Sequence, residues 1–177
     1  MSNDDLNLFS YEILGLVGRE GAGPHDLRRM VRNGRILDWA GESRYYVEPK
    51  RLAKLGYLEA RKEPGKTRER TVYSLTEKGL AALREFAGTP ARFTPLKSEP
   101  LLRLLIADLV GEEATRESLG ALRDEIAELE TLVDASAASA EELPHRRKYL
   151  EITIGFLRAY LQLHLDLIGR VERELAP

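Results

Sequence analysis

SRYYVEPKRLAKLGYLEARKEPGKTRERTVYSLTEKG, residues 43–79, is the stretch that decides the fold. Ser43–Leu55 carries helix formers and stops at Gly56, a residue suited to the left-handed position just past a helix end. Tyr57–Arg61 and Thr71–Leu75 have the β-branched and aromatic content of paired strands, the second with clear period-two alternation. Between them Lys62–Arg70 contains Pro64-Gly65, a turn signal inside a basic loop. Thr76 is placed to cap a further helix, Glu77–Ala87, whose Leu80, Leu83 and Phe86 share one face.

Upstream, Ser10 is predicted to cap a helix whose apolar positions are Tyr11, Ile13, Leu14, Leu16 and Val17, stopped at Gly21-Ala22-Gly23-Pro24. A second helix is predicted at His25–Arg32, with Leu27, Met30 and Val31 turned inward and Asn33-Gly34 at its end. The order helix, helix, helix, hairpin, helix is that of a winged helix-turn-helix with one extra helix. Downstream, Gly88, Pro90, Pro95 and Pro100 mark a linker, and the rest has helical periodicity: Leu101–Val110, Arg116–Ala138 with a fraying end, and a last helix opened by Pro144 and running to about Glu174. The expected fold is mainly α with a small β-hairpin wing. It comprises a winged helix-turn-helix domain over 1–88, a linker over 89–100 and a C-terminal α-helical dimerisation domain over 101–177.

The last helix carries the argument for dimerisation. Leu150, Ile154, Leu157, Leu161, His164, Ile168, Val171 and Leu175 keep an unbroken alternation of four and three, a heptad seam. Phe156, Tyr160, Leu163 and Leu167 form a second stripe. A helix apolar on two sides must be covered on two sides, and a partner subunit is the simplest second cover. The seam residues Leu150 to Val171 are therefore the expected dimerisation residues.

Charge is distributed unevenly. The chain has a net charge of −2, yet residues 1–88 hold 16 Lys and Arg against 13 Asp and Glu, and Arg44–Arg70 alone holds 9 against 4. Clustered Lys and Arg on an otherwise acidic chain are the footprint of a phosphate-facing surface. With Val47, Leu52 and Leu55 turned inward, the third segment leaves Arg44, Tyr45, Lys50, Arg51 and Lys54 for double-stranded DNA, and the hairpin tip adds Lys66, Thr67, Arg68 and Arg70. Pro49 fits the first turn of a helix best, so the regular part is expected to begin near Glu48, or else a short kinked turn spans Ser43–Val47.

Several classes are set aside. No cysteine is present, which removes disulfides, zinc–cysteine sites and thiol catalysis. His25 and His145 have no companion at metal-ligand spacing, and no cofactor is expected. Glycine-rich phosphate loops and nucleophile elbows are missing, so an enzyme is not expected. No apolar run approaches the roughly 20 residues that span a bilayer, and Met1–Leu8 lacks the pattern of a signal peptide. The cytoplasm is the expected compartment.

Tyr11-Glu12-Ile13-Leu14-Gly15-Leu16, then Tyr46, Lys50-Arg51-Leu52 and Leu55-Gly56-Tyr57-Leu58, and finally Arg68 through Gly79, resemble the PadR family of transcriptional regulators over about residues 9–88. The resemblance implies a winged helix that dimerises through C-terminal helices, represses nearby genes and in many cases responds to small molecules. It also implies a backbone phosphate contact at Tyr46, which by its residue type alone fits the core equally. One departure stands out: the family commonly places proline directly after this tyrosine, where the chain has Val47, with proline three positions on at Pro49. Trp39, Phe156 and Tyr160 are candidates for an effector pocket, although a lone tryptophan beside Ile36 and Leu37 is more often a core anchor. His164 is either a hydrogen-bonded core residue or a pH-sensitive site. The expected function is a homodimeric repressor on an inverted-repeat operator. The alternative is a winged-helix adaptor that pairs with another protein through its C-terminal helices without binding DNA.

Overall fold

The structure, a computed structural model, describes residues 5–32, 36, 41–64 and 69–176. The chain divides into two compact units, Met1–Arg92 and Phe93–Pro177.

In the first unit, α1 spans Leu8–Val17. Asn7, not Ser10, is its cap: the Ser10 amide donates to Asn7 Oδ1 at 3.0 Å while the Asn7 amide donates to Ser10 Oγ at 3.2 Å. This reciprocal pair satisfies two helix-end donors, so Ser10 is a buried third-position residue. Helix α2 spans Pro24–Arg32 and α3 spans Arg44–Lys54. Strand β1, Leu58–Glu63, pairs antiparallel with β2, Arg70–Leu75, in the register Leu58↔Leu75 to Glu63↔Arg70. Helix α4, Glu77–Gly88, starts at Thr76, whose Oγ1 accepts the Gly79 amide at 3.1 Å.

The core of this unit joins Phe9, Ile13, Leu14 and Val17 of α1 to Leu27 of α2, Tyr45 and Leu52 of α3, Leu58 and Tyr73 of the hairpin and Ala82 of α4. Ala22 extends the sheet, exchanging backbone hydrogen bonds with Tyr73 at 2.9 and 3.0 Å. The glycines beside it have more than a helix-stopping role. Gly21 has φ +81°, and a Cβ there would stand 2.8 Å from the Tyr73 carbonyl oxygen, closer than a carbon can approach. Two positions expected inside face solvent: Met30 of α2 and Val47 of α3.

The second unit comprises α5 (Glu99–Leu105), α6 (Ala107–Val110), α7 (Glu112–Gly120), α8 (Leu122–Glu141) and α9 (Arg147–Glu174). The two helices expected before α9 are thus each divided, at Ile106 and at Ala121. The segment expected to fray stays helical to Glu141, and α9 begins three residues after Pro144. Ion pairs at 2.6 Å between Arg123 and Glu172 and at 2.7 Å between Asp134 and Arg158 fix α8 antiparallel to α9.

Its core corrects the assignment of the heptad seam. Ile154, Leu157, Leu161, Ile168 and Val171 are buried within the chain, on the side of α9 that packs on α7 and α8, whose buried residues are Thr115, Leu119, Ile126, Val133 and Ala140. Leu150 and His164 of the seam are half-buried. The intramolecular hairpin uses up the seam, so these side chains are not the ones left for a partner. Tyr149, Ile152, Phe156 and Leu163, on other faces of α9, are exposed, as are Leu101, Leu102, Leu105 and Leu109 of α5 and α6. No helix among the described residues is long and apolar enough to cross a membrane.

Candidate nucleic-acid interface

Helix α3 is two-faced. Tyr45, Glu48, Pro49 and Leu52 point into the unit, and Val47, Lys50 and Lys54, spaced three and four apart, share the opposite, exposed face. The helix starts at Arg44, so Pro49 lies in its interior instead of its first turn. It is fully buried, and the missing backbone bond is offset by packing on the core side.

This phase corrects one expected DNA contact. Tyr45 is buried: its hydroxyl donates to Glu12 at 3.0 Å and its ring meets Phe9 edge-on at 5.0 Å. It seats α3 on α1 and cannot reach a duplex. Arg51 is largely committed as well. Its Nε and Nη2 donate to Glu48 at 3.0 and 2.6 Å, Nη2 also reaches Ser10 Oγ at 3.0 Å, and Nη1 donates to the Asp5 carbonyl at 3.0 Å. Glu48 additionally accepts from Ser10 Oγ at 2.7 Å. Burial pushes the Glu48 carboxyl up, but hydrogen bonds from Arg51 and Ser10 and the charges of Arg51 and Arg44 outweigh it and hold the group below its ordinary value. The paired Glu48 holds the Arg51 guanidinium above its ordinary value. Arg51 is therefore a structural tie between α3, α1 and the N-terminal segment.

The other expected contacts differ in availability. Lys50 and Lys54 are exposed, and Arg44, also exposed, lies 4.7 Å over the Phe9 ring. Tyr46 is half-buried with the His25 ring 6.5 Å away, and it hydrogen-bonds Arg28. Arg70, at the base of the wing, faces Asp26 at 3.5 Å and Glu63 at 3.4 Å. Lys66, Thr67 and Arg68 at the hairpin tip, and Trp39, lie outside the described residues. Phe156 and Tyr160 stack 6.5 Å apart on α9, with His164 edge-on to Tyr160 at 4.6 Å and its Nδ1 2.9 Å from the Tyr160 carbonyl. Phe156 is exposed, so this ladder lies on an open face.

Sequence reasoning missed Arg28 and Arg29 of α2 and the pair Ser10 and Glu48. Arg28 bonds Glu42 at 2.9 Å beside Tyr46, and Arg29 pairs with Asp26 at 3.2 Å. The adjacent basic residues Arg28 and Arg29 in a segment with helical spacing were the available signal. The Glu48-to-Arg51 spacing of three was the signal for the tie, although its third member lies 38 residues away.

A winged helix with a basic outward face on its third helix, in a chain that also carries a helical C-terminal unit, defines a class of protein. The solved structures with this architecture include the PadR-like transcriptional regulator of Bacillus cereus, 16% identical with a TM-score of 0.71 over 97% of this chain and 100% of that one. The PadR protein of Bacillus subtilis in complex with operator DNA is 19% identical, with a TM-score of 0.67 over 93% of this chain and 99% of its own. The same protein in complex with p-coumaric acid is 18% identical, with a TM-score of 0.60 over 94% and 99%. The fold is that of the PadR and PadR-like transcriptional regulators. No protein-family model matches the chain, and no curated protein sequence matches it.

Proposed function

We propose that the chain is a sequence-specific DNA-binding transcriptional regulator of the PadR type, a homodimeric repressor that binds an inverted-repeat operator. The observation that carries this is the outward face of α3, where Lys50 and Lys54 are exposed opposite the core side of the helix. A helix seated by one face and cationic on the other is what major-groove docking requires. The structural neighbour solved on operator DNA supports the same use of the fold.

The exposed apolar side chains of α5, α6 and α9 support a second copy as the partner, because a soluble protomer rarely leaves so many large ones uncovered together. The dimer face moves accordingly from the heptad seam to Tyr149, Ile152, Phe156 and Leu163. Two-fold symmetry then presents α3 twice, to half-sites about one helical turn, or a multiple of it, apart. Release by a small molecule is part of the proposal, supported by the neighbour bound to p-coumaric acid.

The test is a gel shift of the purified protein on the DNA upstream of its own gene, at two salt concentrations, with light scattering for mass. A sequence-specific shift by a dimer that weakens steeply with salt is expected. A monomer that shifts no duplex even at low salt would overturn this reading and favour the adaptor.

A further inference from the structure

Val47 is misplaced for a core role and well placed for another. It stands on the same side of α3 as Lys50 and Lys54, opposite Tyr45, Glu48, Pro49 and Leu52, and is 64% exposed. Valine is a weaker helix former than alanine, so an exposed one in mid-helix adds nothing to helix stability.

Its neighbours on the helix surface are cations. Arg44 lies three residues before it and Lys50 three after, both exposed, with Lys54 one turn further. Long cationic side chains reach outward to phosphates from the edges of a docked helix. A short branched side chain at the centre reaches only what the helix axis approaches closely, the base edges. Of the groups that base pairs present in the major groove, the one apolar group is the C5-methyl of thymine.

We propose that Val47 is a specificity-determining residue that reads a 5-methylpyrimidine, thymine in ordinary DNA, through contact of its two methyls with the C5-methyl. The proposal rests on the DNA-binding function above and assigns one letter of its target. Because 5-methylcytosine displays the same methyl, it partly replaces thymine at that position.

The experiment uses the full-length protein and the duplex it protects in a footprint, with each protected thymine replaced in turn by deoxyuridine, which lacks only the methyl. At one thymine per half-site, affinity is expected to fall about four-fold for one methyl contact and about fifteen-fold when both half-sites are changed. In Val47→Ala, which alters an exposed side chain and leaves the thermal melt unchanged, the same replacement is expected to cost less than about two-fold, a coupling that a purely structural residue would not show. A native protein that binds its duplex but is indifferent to deoxyuridine at every thymine overturns this inference alone. So does a deoxyuridine penalty that persists in Val47→Ala. A native protein that binds no duplex overturns it together with the function it rests on.

Discussion

Replacing Glu48 with Gln tests whether the tie beneath α3 holds the first unit together. The carboxylate takes hydrogen bonds from Ser10 at 2.7 Å and from Arg51 at 3.0 and 2.6 Å, and its side chain is 8% exposed. Glutamine keeps the shape and one acceptor oxygen, but it removes the charge and turns an amide donor toward a guanidinium or the buried Ser10 hydroxyl. Removing one member of a fully buried pair costs about 3–5 kcal/mol. The Arg51 side chain is 37% exposed and keeps the Asp5 carbonyl, so solvent screening brings the figure to about 2 kcal/mol. For a unit of this size that is a fall of about 10 °C in melting temperature at neutral pH. Acid adds a second readout. The Glu48 carboxyl is held below its ordinary value of 4.5, so its stabilisation is complete above that value and is lost as pH falls through the lower, folded one. Glutamine has no such proton to take up. The gap between the native and Gln proteins, followed by circular dichroism melts, therefore narrows as pH drops below 4.5. A neutral-pH difference under about 2 °C, or a gap that stays constant into acid, would refute the reasoning.

Gly79→Ala drives a Cβ into the Tyr57 carbonyl oxygen at the start of α4, and a loss of about 3 kcal/mol in urea unfolding is expected. Phe156→Glu with Leu163→Glu alters two exposed side chains of α9, so light scattering is expected to find a monomer with unchanged helicity, whereas Leu157→Glu places a charge in the core and unfolds the second unit. Lys50→Ala with Lys54→Ala is expected to lower the salt slope of DNA binding by about 0.9 for each phosphate that is no longer neutralised. Arg70→Ala is expected to lower it less, because Asp26 and Glu63 already face that charge.

Much of this was legible because local signals agree along residues 43–79. Gly56 (φ +78°) and the Thr76 cap bound their elements within a residue or two of the structure. What failed was phase. Expecting Pro49 near a helix start put Tyr45 outward and let hydrophobicity assign Val47 inward. Once the helix begins at Arg44, positions 45, 48, 49 and 52 must face the core and 47, 50 and 54 must face out. The heptad alternation of α9 likewise announced a packing seam but not whose helix fills it. In the structure α7 and α8 fill it, and the weaker-patterned stripe of Phe156 and Leu163 is left outside. Contacts such as Ser10 with Arg51, 41 residues apart, or Ala22 with Tyr73, leave no periodic trace at all.

Helix α3 is also fastened at its far end, where Thr76 Oγ1 donates to the Gly56 carbonyl at 2.7 Å and Lys78 Nζ to the Leu55 carbonyl at 2.7 Å while lying over the Tyr57 ring. The residues that anchor the helix and those that face outward are different residues. With the proposed DNA-binding role, evolution can therefore retune what this surface recognises without a folding penalty. A duplicated copy of the gene could acquire a new target by drift at positions 47, 50 and 54, with its scaffold inherited intact.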